Sequence, residues 1–361
     1  MDWNKLKNAY QGKRVFLTGH TGFKGTWLTL ILKELGAEVK GYALPPLEFN
    51  ALYHQTRAEN YCDSVIADIR NREKIHREIQ NFKPDYLFHM AAQALVLEGY
   101  KNPVETYQTN VMGTVNVLDA LRDIHKPCKA IMITTDKVYE NLEREAPYKE
   151  GEALGGYDPY SNSKACCELA ISAYRSSFFN AKNLREHGIS LSSARSGNVI
   201  GGGDWSAFRI VPDMAKAFAK DEALLLRNPD SVRPWQHVLD PLNGYLMLGA
   251  KMNEDCLAYN LAYNFGPEQE DRLTVEELVK EGIKTWGSGE YVVSRDPNKP
   301  HEAGLLRLDI SKAKKELNWK PRYSSKEAIK VTMDWYLAAH KNESPREITA
   351  AQIKSFFRID E

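Results

Sequence analysis

Tyr160 and Lys164 stand four residues apart, a spacing that sets both side chains on one face of a helix. A phenol ordinarily ionises at about pH 10, but a nearby ammonium favours its anion. A tyrosine held beside a lysine can therefore take the proton from a hydroxyl. Earlier in the chain, Thr134-Thr135-Asp136-Lys137 places hydroxyls, a carboxylate and an amine in succession. A Tyr-x-x-x-Lys pair alone is common by chance. Its meaning depends on the elements that bring these two segments together.

The run Ala130–Thr135 is apolar and predicts a strand, so Thr134 to Lys137 fall at its C-terminal end. Beyond a polar loop, the segment Gly155–Lys164 opens a helix. Ligands of open α/β sheets bind at the C-terminal strand edge. The same edge is predicted to carry Thr18–Gly25, which follows the strand-like run 13–17 and precedes the apolar helix 26–35. Its spacing is Gly-x-x-Gly-x-x-Gly. Gly19 permits the tight turn, Gly22 the approach of phosphates, and Gly25 the packing of helix on strand. With Thr21, Phe23 and Lys24 between them, these glycines are read as a dinucleotide site.

Further strands are predicted at 38–43, 64–69, 84–89 and 190–195, with helices over 71–81 and 103–124. This alternation argues an α/β fold: a Rossmann-type, doubly wound parallel sheet with a smaller C-terminal substrate-binding domain. We place the dinucleotide-binding domain at 1–195, with a return near 235–262, and the substrate domain mainly at 196–361. Asp68, with Ile69 beside it, stands where the third strand ends and an adenine amine could be met. The small residues Ala91 and Ala92, followed by Gln93, would let a cofactor lie against the backbone. The second strand meets no carboxylate until Glu48, which leaves NAD and NADP open at that point.

The 48 basic and 48 acidic residues cancel, so no basic face for nucleic acid is implied. The five cysteines form no Cys-x-x-Cys pair and read as reduced thiols. The nine histidines lack metal-ligand spacing, so no metal is expected. No run is apolar enough to span a bilayer, and Met1–Lys7 lacks the apolar core of a signal peptide. A cytoplasmic protein is expected. The amphipathic stretch Ile348–Phe357 is a candidate subunit contact.

Glycine loop, strand-end threonine and Tyr-x-x-x-Lys, in that order, resemble the extended short-chain dehydrogenases that act on nucleotide sugars. Thr18–Trp27, Ala91–Gln93, Gly155–Ser161, Gly197–Trp205 and Arg233–Val238 are similar to the CDP-glucose 4,6-dehydratases within that group. The chain departs from their pattern at Leu97-Glu98-Gly99 and Glu145-Ala146-Pro147. The resemblance implies NAD as cofactor, CDP-glucose as substrate and a homodimer. It implies Thr135, Tyr160 and Lys164 for oxidation at C4, with Asp136 as acid and Lys137 as base for elimination. It also implies cofactor contacts from Asp68, Ile69, Ala91, Ala92, Gln93 and Thr134, and substrate contacts from Asn198, Arg209, Arg233 and His301. An arginine can grip a diphosphate bidentately, which suits Arg233. A 4-epimerase or reductase would need Thr135, Tyr160 and Lys164 but no acid–base pair at 136 and 137. A non-catalytic NAD-binding protein would need no phenolate at all.

Overall fold

Strands β1 (Arg14–Thr18), β2 (Glu38–Ala43), β3 (Asp63–Ile66), β4 (Tyr86–His89), β5 (Cys128–Ile133), β6 (Ile189–Ser196) and β7 (Ala262–Phe265) pair in parallel as one sheet. Their spatial order is β7-β6-β5-β4-β1-β2-β3. The computed structural model from which this follows describes residues 2–46, 48–294 and 305–359. The chain steps outward from β1 to β3 and then returns to β4 on the other side of β1. The switch point therefore lies between β1 and β4, where a crevice opens for a ligand.

Side chains alternate across the sheet with period two. Val15, Leu17, Phe88 and Ile131 face one apolar cluster; Phe16, Leu87, Ala130 and Met132 face the other. On the first side lie helix α1 (Phe23–Glu34), through Trp27 and Ile31, and a later helix, through Tyr245 and Leu246. On the second lie α2 (Arg72–Phe82), α3 (Gly113–Leu121) and α4 (Pro159–Ser177), through residues such as Ile79, Val117 and Ile171. Burial on both faces accounts for the near-continuous apolar strands.

The register brings the strand ends level: Thr18 pairs with His89, His89 with Met132, and Ile133 with Ala194. Where a single helix over 103–124 was expected, the chain forms Pro103–Tyr107, a π turn at Gln108–Met112, then α3. The extra residue in the π turn carries Asn110 inward, to a position taken up below.

Beyond Ser196 the chain forms α5 (Ile210–Phe218) and α6 (Leu239–Glu254), and β7 then pairs alongside β6. The apolar cluster on this side runs without a break from Leu6 to Phe357. The expected subunit contact near the C-terminus is corrected by this packing. Ile353, Phe356 and Phe357 are buried in the chain's own core, and Phe357 meets the ring of Trp3 at 5.0 Å.

Candidate active site

Three glycines of the first turn do different work. Gly19 has φ +79°, and a Cβ there would lie 2.8 Å from Ala91 N. A Cβ on Gly25 would lie 2.0 Å from Gly19 O, so helix α1 rests directly on the turn. Gly22 differs. Its φ is −77°, and an added Cβ would meet only Gly19 O, at 3.4 Å. The fold itself does not require glycine at 22, so the space above it is kept for something else. Gly22 caps α1 with no side-chain bond, and the first turn carries no acidic residue. Backbone donors on the positive end of a helix, in a cradle a side chain would fill, fit a diphosphate.

Neighbouring groups shape this cradle. Thr21 Oγ1 donates to Leu44 O at 2.8 Å and closes the turn onto the end of β2. Thr18 Oγ1 accepts from Met90 N and Ala91 N at 3.0 and 3.1 Å, tying β1 to the Ala91-Ala92 segment. Lys24 reaches across to the far side, donating to Ser196 Oγ at 3.2 Å and Tyr245 Oη at 3.0 Å. Asp68 stands just past β3, its carboxylate gripped by Arg70 (2.6 Å at Nη2) and held below the usual range by that pairing. Ile69 is buried against Gly113, where a Cβ would come within 2.7 Å of its Cγ2.

Gln93 is fixed by a residue that the sequence did not single out. Asn110, turned inward by the π turn, accepts from Gln93 N at 2.8 Å and donates to Gln93 O and to Ser163 Oγ. The Gln93 side chain is used as well, donating to Thr106 Oγ1 and accepting from Leu95 N. The segment therefore offers its backbone and small side chains to a ligand, not the Gln93 amide.

At the end of β5, Thr135 caps a short 3₁₀ turn, Asp136–Val138. Thr135 Oγ1 donates to Asp136 Oδ1 at 2.9 Å, and Lys137 Nζ lies 3.3 Å from the same oxygen. Asp136 is 1% exposed, so the two charges are not a solvated loop pair. Lys137 Nζ also meets Asn198 Oδ1 at 3.5 Å, which joins the turn to the segment after β6.

Helix α4 opens with Asp158, whose carboxylate accepts from Ser161 N at 3.0 Å, and with Pro159 in its first turn. Tyr160, Lys164 and Glu168 follow at intervals of four on the buried side. Lys164 Nζ donates to Ile133 O at 3.3 Å, which places the ammonium beside the end of β5. Burial lowers the Lys164 pKa, and the Lys24 ammonium adds to the effect. Burial pushes the Tyr160 phenol up to about 12; the Thr135 hydroxyl and the Arg209 guanidinium pull the other way. The spacing in the sequence speaks only for the charge that favours the phenolate. In the fold, desolvation is the larger effect.

Behind these groups sits a buried ion pair that the sequence did not single out. Glu168 Oε2 receives Arg195 Nη2 and Ser193 Oγ, both at 2.8 Å, while Oε1 accepts from Thr134 Oγ1 at 2.5 Å. Its signal was available in the spacing, as Glu168 continues the Tyr160–Lys164 stripe. Thr134 is thus fixed from behind.

Of the residues expected to hold substrate, Arg209 caps α5, pairs with Asp204 at 2.7 Å and lies close enough to Tyr160 to shift its ionisation. Arg233 lines a cleft together with Arg272 and Arg307, two further guanidinium groups that the sequence did not single out. His301 lies outside the described residues. Among the described residues, no cluster of histidine, cysteine or carboxylate side chains is arranged to hold a metal. No helix of the described residues is long and apolar enough to cross a membrane.

Comparison with known proteins agrees with this arrangement. A family model described as GDP-mannose 4,6 dehydratase matches residues 16–332. A CDP-glucose 4,6-dehydratase of Salmonella typhimurium (strain LT2) is 47% identical over 95% of this chain and 97% of its own length. A dTDP-glucose 4,6-dehydratase of Xanthomonas campestris pv. campestris is 25% identical over 89% of this chain and 92% of its own. In fold, the chain is similar to a Thermus thermophilus UDP-glucose 4-epimerase solved in complex with NAD. That comparison gives a TM-score of 0.76 at 24% identity, covering 90% of this chain and 99% of the other. The glycine turn, the strand-end acid and amine and the Tyr–Lys helix thus belong to a member of the GDP-mannose 4,6 dehydratase family, among the extended short-chain dehydrogenases that act on nucleotide sugars.

Proposed function

We propose that the protein is a CDP-glucose 4,6-dehydratase, forming CDP-4-dehydro-6-deoxy-glucose and water. The observation that carries the reading is the buried Asp136 carboxylate bonded to Lys137 at the strand end that Tyr160 and Lys164 also serve. Simple oxidation or epimerisation at C4 needs no such second pair. The identity to the Salmonella enzyme supports the same substrate.

NAD, held along the glycine turn and the Ala91-Ala92 backbone, supplies the acceptor for the hydrogen leaving C4 and the donor that later reduces C6. Tyr160 takes the proton from the C4 hydroxyl, with Lys164 beside it to favour the anion and Thr135 to orient the oxygen. The C5 hydrogen is acidified by the new ketone, and Lys137 removes it as a proton. Asp136 gives a proton to the C6 hydroxyl, which leaves as water. Lys137 returns its proton to C5 when C6 is reduced. Tyr160 ends with one proton more and Asp136 with one fewer, and the residues return to their starting states when that proton passes from the phenol to the carboxylate, between which the Thr135 hydroxyl lies.

Asn198, Arg209, Arg233 and His301 are proposed to bind the nucleotide sugar, within a substrate-binding part at 196–361. A cytoplasmic homodimer belongs to the same proposal. All five cysteines are free thiols, which suits a reducing compartment. The exposed apolar side chains Val104, Met112 and Leu169 suit a subunit contact. The test is incubation with a panel of nucleotide sugars and detection of 4-keto product by its absorbance in base. CDP-glucose is expected to give the signal, and turnover of another nucleotide in its place would overturn the assignment.

A further inference from the structure

A glycine stands against the buried carboxyl of the site. Gly197 follows β6 directly, and its backbone lies outside the left-handed region, so its conformation does not call for glycine. Yet a Cβ there would lie 2.8 Å from Asp136 Oδ2, 3.4 Å from Asp136 Cγ and 3.2 Å from Pro234 Cγ. Both neighbours are fixed. Asp136 is buried, and its Oδ1 accepts from Thr135 Oγ1 at 2.9 Å and from Lys137 Nζ at 3.3 Å. The segment of Pro234 is tied to the segment of Gly197: Gln236 N donates to Asn198 O at 3.0 Å, and Val199-Ile200 pairs in parallel with Gln236-His237. The chain beyond β6 therefore crosses the Asp136–Lys137 pair at close range, with Asn198 Oδ1 at 3.5 Å from Lys137 Nζ. Among the described residues no hydrogen bond ends on Asp136 Oδ2. One oxygen of the carboxyl is anchored, and the other faces the space that a side chain at 197 would fill.

We propose that Gly197 is a positioning residue for the elimination, keeping Asp136 Oδ2 open to the hydroxyl that leaves C6. The inference rests on the dehydratase reading and gives the two carboxyl oxygens different work. Oδ1 accepts two hydrogen bonds and orients the group, so the proton that the sugar can reach is the one on Oδ2. In the elimination the Oδ2–H bond breaks and that proton joins the oxygen on C6. The C6–O bond breaks, and its electron pair leaves with the water. Lys137 takes the C5 proton, and the C5–H electron pair becomes the C5–C6 double bond. The carboxylate that remains meets the new ammonium of Lys137 across the 3.3 Å already present. A methyl group at 197 would press on Oδ2 and turn the carboxyl away from the sugar.

The test compares wild type with Gly197→Ala, each as the full chain with NAD, on CDP-glucose and on its analogue with fluorine in place of the C6 hydroxyl. Fluoride leaves without taking a proton, so the analogue does not need the acid. With CDP-glucose, Gly197→Ala is expected to reduce the bound cofactor within a few-fold of the wild-type rate. Its release of 6-deoxy product is expected to be slower on the order of 10²-fold. With the analogue, fluoride release is expected to stay within a few-fold of wild type. Product release from CDP-glucose near the wild-type rate, or an equal loss on both substrates, would overturn the proposal. Should Gly197→Ala fail to fold, the same change is made in Asp136→Ala, where the crowded carboxyl is absent. That protein is expected to fold and to reduce its cofactor. Its failure would place the need for glycine in the fold and overturn the proposal. Wild-type protein that forms no 6-deoxy product from any sugar of the panel would overturn the dehydratase reading and this inference together, before any variant is made.

Discussion

Glu168 and Arg195 meet at 2.8 Å with both side chains 4% exposed, one on α4 and the other at the end of β6. The pair joins the helix of Tyr160 to the sheet, and through Thr134 it fixes the strand end that carries Thr135, Asp136 and Lys137. Removing one partner strands the other charge in the interior, so Glu168→Ala is expected to cost about 3–5 kcal/mol of stability. Thermal or denaturant unfolding measures this. The pairing lowers the Glu168 pKa despite its burial. Its contribution is therefore present above the unfolded carboxylate range and is lost as the pH falls through the folded value.

Two glycine substitutions separate fold from ligand. Gly22→Val is expected to remove cofactor binding while the protein folds, because only Gly19 O stands near the added Cβ. Gly25→Ala is expected to disrupt the turn itself, with its Cβ driven to 2.0 Å from a backbone carbonyl. Calorimetric titration with NAD and a circular-dichroism spectrum distinguish the two.

The strands, the glycine turn and the Tyr–Lys helix were legible because each is a local pattern: apolar runs, glycine spacing, a four-residue interval. What was not legible depends on non-local packing. The π turn that brings Asn110 to Gln93 leaves no mark in a helical periodicity. The Glu168–Arg195 pair joins residues 27 apart in sequence. The Ile348–Phe357 stretch is amphipathic whether its apolar face meets another subunit or, as here, the chain's own core. Desolvation, which decides the ionisation of Tyr160, exists only once the site is assembled.

Three buried histidines make the protein sensitive to acid. Burial lowers His20 to about 4 and His89 and His237 to about 3. The unfolded chain binds protons there below about pH 6.5, whereas the folded chain stays neutral. Stability is expected to be full above that value and to decline as the pH falls toward the folded values. Denaturant midpoints measured across this range check it, and replacing His237 by Gln is expected to flatten part of the slope.

Tyr160→Phe keeps the ring and removes the base, and is expected to lower turnover on the order of 10²–10⁴-fold. Lys164→Met is expected to do comparable harm. Turnover within a few-fold of wild type in Tyr160→Phe would remove the phenol from the mechanism.

Asp136 and Lys137 separate dehydration from plain redox chemistry. Lys137→Met and Asp136→Asn are expected to allow reduction of the bound cofactor by CDP-glucose yet release no 6-deoxy product. Near wild-type dehydration in both variants would place the acid and base elsewhere.

The most direct measurement uses CDP-glucose carrying deuterium at C4, with the product read by NMR. The account predicts a 4-keto-6-deoxy sugar with that deuterium at C6, and, in heavy water, solvent deuterium at C5 of product from unlabelled CDP-glucose. Label retained at C4 of a sugar that keeps its C6 hydroxyl would contradict it and favour epimerisation.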